Sequence, residues 1–201
     1  MRVTSYVLLC FTLFADVSAA STEVQYQSKN QRHMTDKKEF TFMIDFTGQH
    51  NLENWRITND GVMGGKSQGH FSLQKNKAVF EGNISLDNNG GFSSVFRSIE
   101  PLSKGLKTVT INVFGDGLTY QLRTTVMLDG YRLAYKQSFT TVAGQHEELS
   151  FTLANFQASF RGRHIPNAPT LLAENIIEVG FLVTRKDAGP FSLAIANVAF
   201  K

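Results

Sequence analysis

Apolar and polar residues alternate along most of the chain from Phe40 onward. An apolar residue at every second position puts one face of an extended strand against a core and the other toward water. Such runs therefore predict β strands with one buried face. Their core-facing positions are Phe40, Phe42, Ile44 and Phe46; Leu106, Val109, Ile111 and Val113; Leu118, Tyr120, Leu122, Thr124 and Val126; Tyr131, Leu133, Tyr135 and Phe139; Leu149, Phe151 and Leu153; Ile177, Val179, Phe181 and Val183; and Phe191, Leu193 and Ile195.

The last of these runs changes phase. Its apolar positions pass from Ile195 to Val198 and Phe200. Because side chains alternate between the two faces of a sheet, a slip of this kind needs one extra residue in the strand. The shift predicts a β-bulge around Ala196 and Asn197.

Helix signals are scarce by comparison. Only the segment from Pro169 to Glu178 could form a short helix, just before the strand at Ile177. Many short strands at a spacing of about 8–12 residues are typical of sandwiches and jelly rolls. We therefore predict one all-β domain over residues 39–201, built as an antiparallel β-sandwich (jelly roll).

The segment before this domain reads as a targeting sequence. A mostly apolar run from Tyr6 to Ala15 follows the basic Arg2 and precedes small residues at 18–20. This is the pattern of a secretory signal peptide, and the run is shorter than the roughly 20 apolar residues of a membrane span. We expect residues 1–20 to be removed near Ala20 and residues 21–38 to form a flexible lead-in. The mature chain would then be periplasmic or secreted, without a membrane span; a mitochondrial location is the alternative.

Composition narrows the possible chemistry. The single cysteine, Cys10, lies in the predicted signal peptide, so the mature domain would have no disulfide or thiolate. The formal net charge is +3, and no dense basic block points to nucleic acid as a partner. The five histidines are scattered, without the paired spacing of zinc sites. The sequence therefore predicts no metal and no cofactor.

Two glycine-rich loops stand out between the predicted strands. The first is Asn59–Ser67 (NDGVMGGKS) and the second is Asn88–Phe92 (NNGGF). Glycine permits positive φ and close approach, while Asn and Asp bond to nearby backbone amides. The pairs Gly64–Gly65 and Gly90–Gly91 are therefore assigned to structural turns. Lys66 follows Gly65 as in a phosphate-binding loop, but Asp60 stands where that motif needs its leading glycine.

A set of polar and aromatic residues could converge near these loops. An aromatic ring that stacks on a pyranose, with planar polar groups that hold its hydroxyls, is what a sugar site requires. The same groups could equally tie the loops together as ion pairs and packing contacts. The candidate ligand- or partner-binding residues are Trp55, Asn59, Asp60, Asn88, Asn89, Arg97, Arg123 and Arg161.

With these motifs the chain resembles the complex I intermediate-associated protein 30 family. The resemblance rests on Trp55, the two glycine loops and Arg97, and continues through 160–162 and 189–193, covering nearly the whole mature chain. It implies a galactose-binding-like β-sandwich and, for mitochondrial members, assembly of respiratory NADH:ubiquinone oxidoreductase by protein contact. It supplies no catalytic residue. An exported chain would lie outside the matrix, so the resemblance implies the fold in either location and the respiratory role only if the protein is imported into mitochondria.

Three functions remain open on the sequence. The leading hypothesis is a non-catalytic binding or assembly module with a protein partner. The second is a carbohydrate-binding domain that holds a glycan with Trp55, Asn88, Asn89 and Arg97. The third is a small glycoside hydrolase with Asp60 and either Glu81 or Asp87 as its acid and base, since paired carboxylates perform that reaction.

Overall fold

The computed structural model describes residues 41–47, 52–160 and 162–201. The predicted signal peptide, the lead-in, Phe40 and Arg161 lie outside the described residues. The strands are β1 (Phe42–Asp45), β2 (Trp55–Asn59), β3 (Gln68–Gln74), β4 (Lys77–Ile84), β5 (Phe92–Ser98), β6 (Thr108–Phe114), β7 (Thr119–Leu128), β8 (Tyr131–Thr140), β9 (His146–Thr152), β10 (Gln157–Phe160), β11 (Arg163–His164), β12 (Ile176–Thr184) and β13 (Gly189–Phe200). Single 3-10 turns are formed by Asp60–Met63, Asp87–Asn89, Leu153–Asn155 and Ala173–Asn175.

The strands form two antiparallel sheets. Sheet A has six strands in the order β3-β4-β13-β6-β9, with β1 also paired to β13. Sheet B has seven strands in the order β11-β10-β8-β7-β12-β5-β2. Neighbours such as β4 and β13 are far apart in the chain, as in the Greek-key connections of a jelly roll. The prediction of an all-β antiparallel sandwich is confirmed.

The core lies between the two sheets and follows the predicted alternation. Tyr120, Leu122 and Phe181 of sheet B and Phe80 and Leu193 of sheet A are all fully buried. Tyr120 keeps its hydroxyl satisfied by donating to the Asp116 carboxylate, at 3.0–3.1 Å. Large apolar side chains contribute about 1.5–3 kcal/mol each when they leave water, so this alternation dominates the stability of the fold.

The predicted bulge in the last strand is confirmed. The pairing of β13 with β6 shifts between Ile195 and Asn197, so that Ala196 is the extra residue. Both Ile195 and Val198 therefore point into the core, each with 0% exposure. The bulge also lets β13 pair with β4 along its first part and with β1 along its last part.

Two local predictions need correction at the start of β12. The predicted helix over 169–178 is a single 3-10 turn at Ala173–Asn175, after which the strand begins at Ile176. The pairing of β12 with β7 also skips Ile177. This second bulge puts Ile176, 1% exposed, into the core in place of Ile177, which is only partly buried. Glu178 directly precedes the buried Val179 and faces outward from sheet B, as the predicted alternation requires.

Candidate binding surfaces

Asp60 joins the two glycine loops. Its side chain is fully buried, and its carboxylate accepts hydrogen bonds from the amides of Ser67 (2.9 Å), Gly91 (2.7 Å) and Phe92 (3.3 Å) and from the Ser67 hydroxyl. Burial raises the pKa of Asp60, but the bonds from Ser67, Gly91 and Phe92 outweigh it and hold the pKa below its ordinary value. Asp60 is therefore an ionised structural anchor with no exposed atom for a ligand.

The four turn glycines surround this anchor. A side chain at Gly65 would collide with the Asp60 carboxylate, and one at Gly90 would lie 2.7 Å from Asp60 Oδ2. Gly64 and Gly91 have φ of +91° and +124°, which side chains rarely adopt. The glycine pairs thus give the carboxylate its space and let both loops turn around it.

Two of the loop asparagines form hydrogen bonds with the scaffold, mostly with its backbone. Asn59 Oδ1 accepts from the Gly69 amide at 3.1 Å and from the Ser93 hydroxyl at 2.6 Å. Asn88 Nδ2 donates to the Gly64 carbonyl at 2.9 Å. Asn88 and Asn89 are exposed, with φ of +54° and +61°. The amides of Asn59 and Asn88 therefore serve the scaffold, as turn chemistry would require.

The anchored loops present apolar side chains to solvent. Val62 and Met63 in the first loop are 73% and 67% exposed, and Leu86 at the start of the second is 41% exposed. The Asp60 bonds and the Asn88–Gly64 bond hold the two loops side by side. We call Val62, Met63 and Leu86 the loop surface. Large exposed apolar groups on a rigid support are characteristic of contact surfaces.

Trp55 and Arg97 lie at the opposite end of their strands from this anchor. They face each other across β2 and β5, and the indole packs 5.0 Å from the ring of Phe71 and 5.8 Å from that of Phe46. The Trp55 Nε1 and Arg97 Nε atoms are buried without a hydrogen-bond partner in the described part of the chain. Four residues of strand separate Trp55 from Asn59, roughly 13 Å. The aromatic and amide members of the candidate set therefore do not converge on one pocket.

Arg123 lies on the outer face of sheet B. The alternation that buries Leu122 and Thr124 turns Arg123 outward, where it is half-buried among neutral groups. Its guanidinium donates to Gln121 Oε1 at 3.2 Å and to Ser159 Oγ at 3.3 Å, and its Nε is buried without a partner among the described residues. Burial lowers the pKa of Arg123. This is an arginine whose charge no described carboxylate balances.

Glu178 on the same face is fully engaged. It is 4% exposed, and its two oxygens accept separately from Arg56 and from Arg132. Burial raises the pKa of Glu178, but these two arginines outweigh the burial and lower it overall. Sequence reasoning missed this cluster because Arg56 and Arg132 lie 122 and 46 residues from Glu178 in the chain, and only the fold brings the three together.

The carboxylates considered for hydrolysis lie in different surroundings. Asp60 is enclosed, whereas Asp87 is exposed and pairs with Lys66 at 3.2 Å. Glu81 lines an open recess of about 670 Å³ on sheet A with His70 and the loop before β7. The described residues hold no group of three or more metal-ligating side chains and no helix long and apolar enough to span a membrane.

Together, the strand order and the buried core define a galactose-binding-like β-sandwich. A model of the family "Complex I intermediate-associated protein 30 (CIA30)" matches residues 44–195. The chain belongs to this family, and the resemblance seen in its motifs is confirmed.

Solved structures with the same fold come from carbohydrate-active proteins. The family 11 carbohydrate-binding module of the cellulase Lic26A-Cel5E of Clostridium thermocellum superposes with a TM-score of 0.61 at 14% identity, over 80% of this chain and 93% of that one. A structure of the family 11 module from Clostridium thermocellum with a beta-1,3-1,4-mixed-linked tetrasaccharide gives 0.56 at 14% identity, over 80% and 94%. The agarase AgWH50C gives 0.50 at 10% identity, over 80% of this chain and 24% of that chain. The family and the fold fit a non-catalytic binding module.

Proposed function

We propose that this protein is a non-catalytic assembly module that docks onto a protein partner through its loop surface. The observation that carries the proposal is the exposure of Val62 and Met63, 73% and 67%, on a loop fixed by a buried carboxylate. Two large apolar side chains that stay exposed to solvent add no burial free energy to the stability of the fold. A partner that covers them gains about 1.5–3 kcal/mol for each fully buried side chain.

The rigidity of the loop favours binding further. Ordering a mobile loop on association costs free energy, and a loop already fixed by its own hydrogen bonds avoids most of that cost. The planar polar groups nearby are already used, since Asn59 and Asn88 bond to the scaffold. An apolar surface whose neighbouring amides, Asn59 and Asn88, are engaged by the scaffold suits a protein groove better than the hydroxyls of a sugar.

The family name supports a role in association with a protein complex. We propose that this contact takes place outside the cytoplasm, since the apolar run from Tyr6 to Ala15 is typical of export signals. Edman sequencing of the protein purified from its host tests the location. A mature N-terminus near Ser21 supports export, and an intact Met1 contradicts it.

Site-specific photo-crosslinking in the native host tests the partner. A benzophenone side chain at Val62 should crosslink one discrete protein, whereas the same group at Val142, another exposed valine (47%), should not. Changing Met63 to Ser should weaken the Val62 crosslink, because one of the three apolar side chains of the loop surface is lost. Equal crosslinking from both positions, or none from Val62, would overturn the proposed docking.

Carbohydrate binding is the second candidate, and the outer face of sheet B favours it. Gln121, Arg123 and Ser159 form a connected set of polar side chains there, on a fold that is similar to a module solved with a tetrasaccharide. Affinity electrophoresis in gels that contain a soluble mixed-linked β-glucan checks this role. Retardation that is insensitive to the loop change Met63→Ser would support it.

A further inference from the structure

The outer face of sheet B carries an excess of positive charge. The outward positions of its described strands include four basic side chains, namely Arg56, Arg123, Arg132 and Lys136, against one carboxylate, Glu178. Glu178 uses one oxygen on Arg56 and the other on Arg132. The positive charges of Arg123 and Lys136 are therefore left without a described counter-charge.

Among the basic residues of this face, Arg123 is the one whose charge is partly buried without a described counter-charge. A half-buried guanidinium has lost part of its hydration, and its two bonds, at 3.2 and 3.3 Å, go to neutral oxygens. Its Nε lacks any described partner although it is buried. Buried charges in proteins are normally paired, and the guanidinium fork matches a carboxylate in two parallel bonds. An incoming carboxylate that accepts from the terminal nitrogens of the guanidinium would supply the counter-charge that the described residues do not provide.

An aromatic floor lies beside this arginine. Gly180 is the neighbour of Arg123 on β12, and Phe96 is the neighbour of Gly180 on β5. A Cβ built on Gly180 would lie 2.5 Å from Cδ1 and 2.8 Å from Cγ of Phe96, so the ring rests over the glycine. With strands about 4.8 Å apart, the ring lies roughly one strand spacing from Arg123. That separation is comparable to the width of one pyranose ring.

We propose that the outer face of sheet B binds a carboxylate-bearing saccharide, with a uronate ring over Phe96 and its carboxylate on Arg123. Lys136, directly opposite Arg123 on β8, adds a second positive charge for the next acidic sugar. An aromatic ring beside planar polar groups offers a stacking surface and hydroxyl partners, which suit a sugar better than an acidic peptide. The site lies apart from the loop surface and sharpens the second candidate function.

Affinity electrophoresis with the full protein tests the site. The probes are polygalacturonate, alginate and hyaluronan, with fully methyl-esterified polygalacturonate as the uncharged match and poly-L-glutamate as the acidic peptide. We expect the uronate polymers to retard the protein and the methyl ester to lose most of that effect. Arg123→Gln should weaken the binding about tenfold to a hundredfold, the usual range for a bond between charged groups.

Two further variants keep the result interpretable. Lys136→Gln should weaken uronate binding less than Arg123→Gln, and Lys104→Gln, which removes the same charge from an exposed loop, should leave it unchanged. The proposal fails if no uronate polymer binds, if the ester binds as well, or if Arg123→Gln and Lys104→Gln behave alike. Equal or tighter binding of poly-L-glutamate would overturn the saccharide in favour of an acidic protein. None of these results bears on the Val62 crosslink.

Discussion

Asp60→Asn is the change that most directly tests the anchored loops. The substitution keeps the shape of the side chain but replaces one acceptor oxygen with an amide group that donates. Oδ1 accepts from the Ser67 amide, and Oδ2 accepts from the Gly91 and Phe92 amides. Whichever way the new amide turns, at least one buried backbone N–H loses its acceptor.

The magnitude follows from these bonds. An unsatisfied buried donor costs about 1–3 kcal/mol, and bonds to a charged acceptor are worth more than neutral ones. We therefore expect Asp60→Asn to lower the free energy of unfolding by about 2–4 kcal/mol. In a domain of this size, that corresponds to a fall in melting temperature of roughly 5–15 °C.

The effect should also depend on pH with a defined sign. The pKa of Asp60 is lower in the folded protein than in the unfolded chain, because the bonds from Ser67, Gly91 and Phe92 favour the charged carboxylate. Its charge therefore stabilises the fold above the unfolded pKa, and this contribution is lost as the pH falls through the folded pKa. Denaturant unfolding of wild type and Asp60→Asn should differ fully at about pH 6–7, and the difference should disappear only as the pH falls through the lowered pKa of folded Asp60.

Asp87→Asn is the matched control. Asp87 stands in the second loop but is 61% exposed in its pair with Lys66, and exposed pairs contribute little. We expect its melting temperature to stay within about 2 °C of wild type. Equal losses for the two variants, or a difference that does not change with pH, would refute the anchoring role of Asp60.

Three further changes should give distinct losses of stability in thermal or denaturant unfolding. Gly65→Ala should cost about 2–3 kcal/mol, because its methyl group collides with the Asp60 carboxylate, whereas Gly61→Ala meets nothing within 4 Å and should be nearly neutral. Glu178→Gln should cost about 1–2 kcal/mol near pH 7, and its difference from wild type should shrink as the pH falls through the lowered pKa of Glu178; no shrinkage would contradict the paired charge. Phe181→Ala should cost about 3–5 kcal/mol because the ring is fully buried, and a loss under 1 kcal/mol would contradict its place in the core.

The strands of the sandwich could be predicted from the sequence where one face of the strand is exposed to solvent, because their residues then alternate between apolar and polar. In β7 the predicted core positions from Tyr120 to Val126 are buried, and in β8 Tyr135 and Phe139 are buried as the period of two predicts. The prediction that Tyr131 faces the core is wrong, because this residue is 76% exposed at the start of β8. The pattern fails in β4, where Ala78, Val79 and Phe80 are all buried and no alternation remains. The pattern also fails at the start of β12. Ile176 and Ile177 are identical, so the sequence does not indicate which of them faces the core and which lies in the bulge.

The candidate sites show the same division. The outward position of Arg123 could be predicted, because Arg123 lies between the core-facing Leu122 and Thr124 in a clearly alternating strand. The role of Asp60 could not be predicted in this way, since Asn-Asp-Gly is typical of exposed turns and Asp is rarely buried. Its burial depends on Gly91 and Phe92, about 30 residues further along the chain, which only the paired loops bring near.

The loop surface and the outer face of sheet B are connected by one strand, yet they should act independently. β5 begins at Phe92, whose amide bonds to Asp60, and carries Phe96 onto the outer face of sheet B. Four residues of strand separate the two, roughly 13 Å. Over that length β5 is paired with β2 on one side and β12 on the other, so a shift at its first residue is resisted by both ladders. A protein on the loop surface and a saccharide on sheet B could therefore occupy the same molecule together.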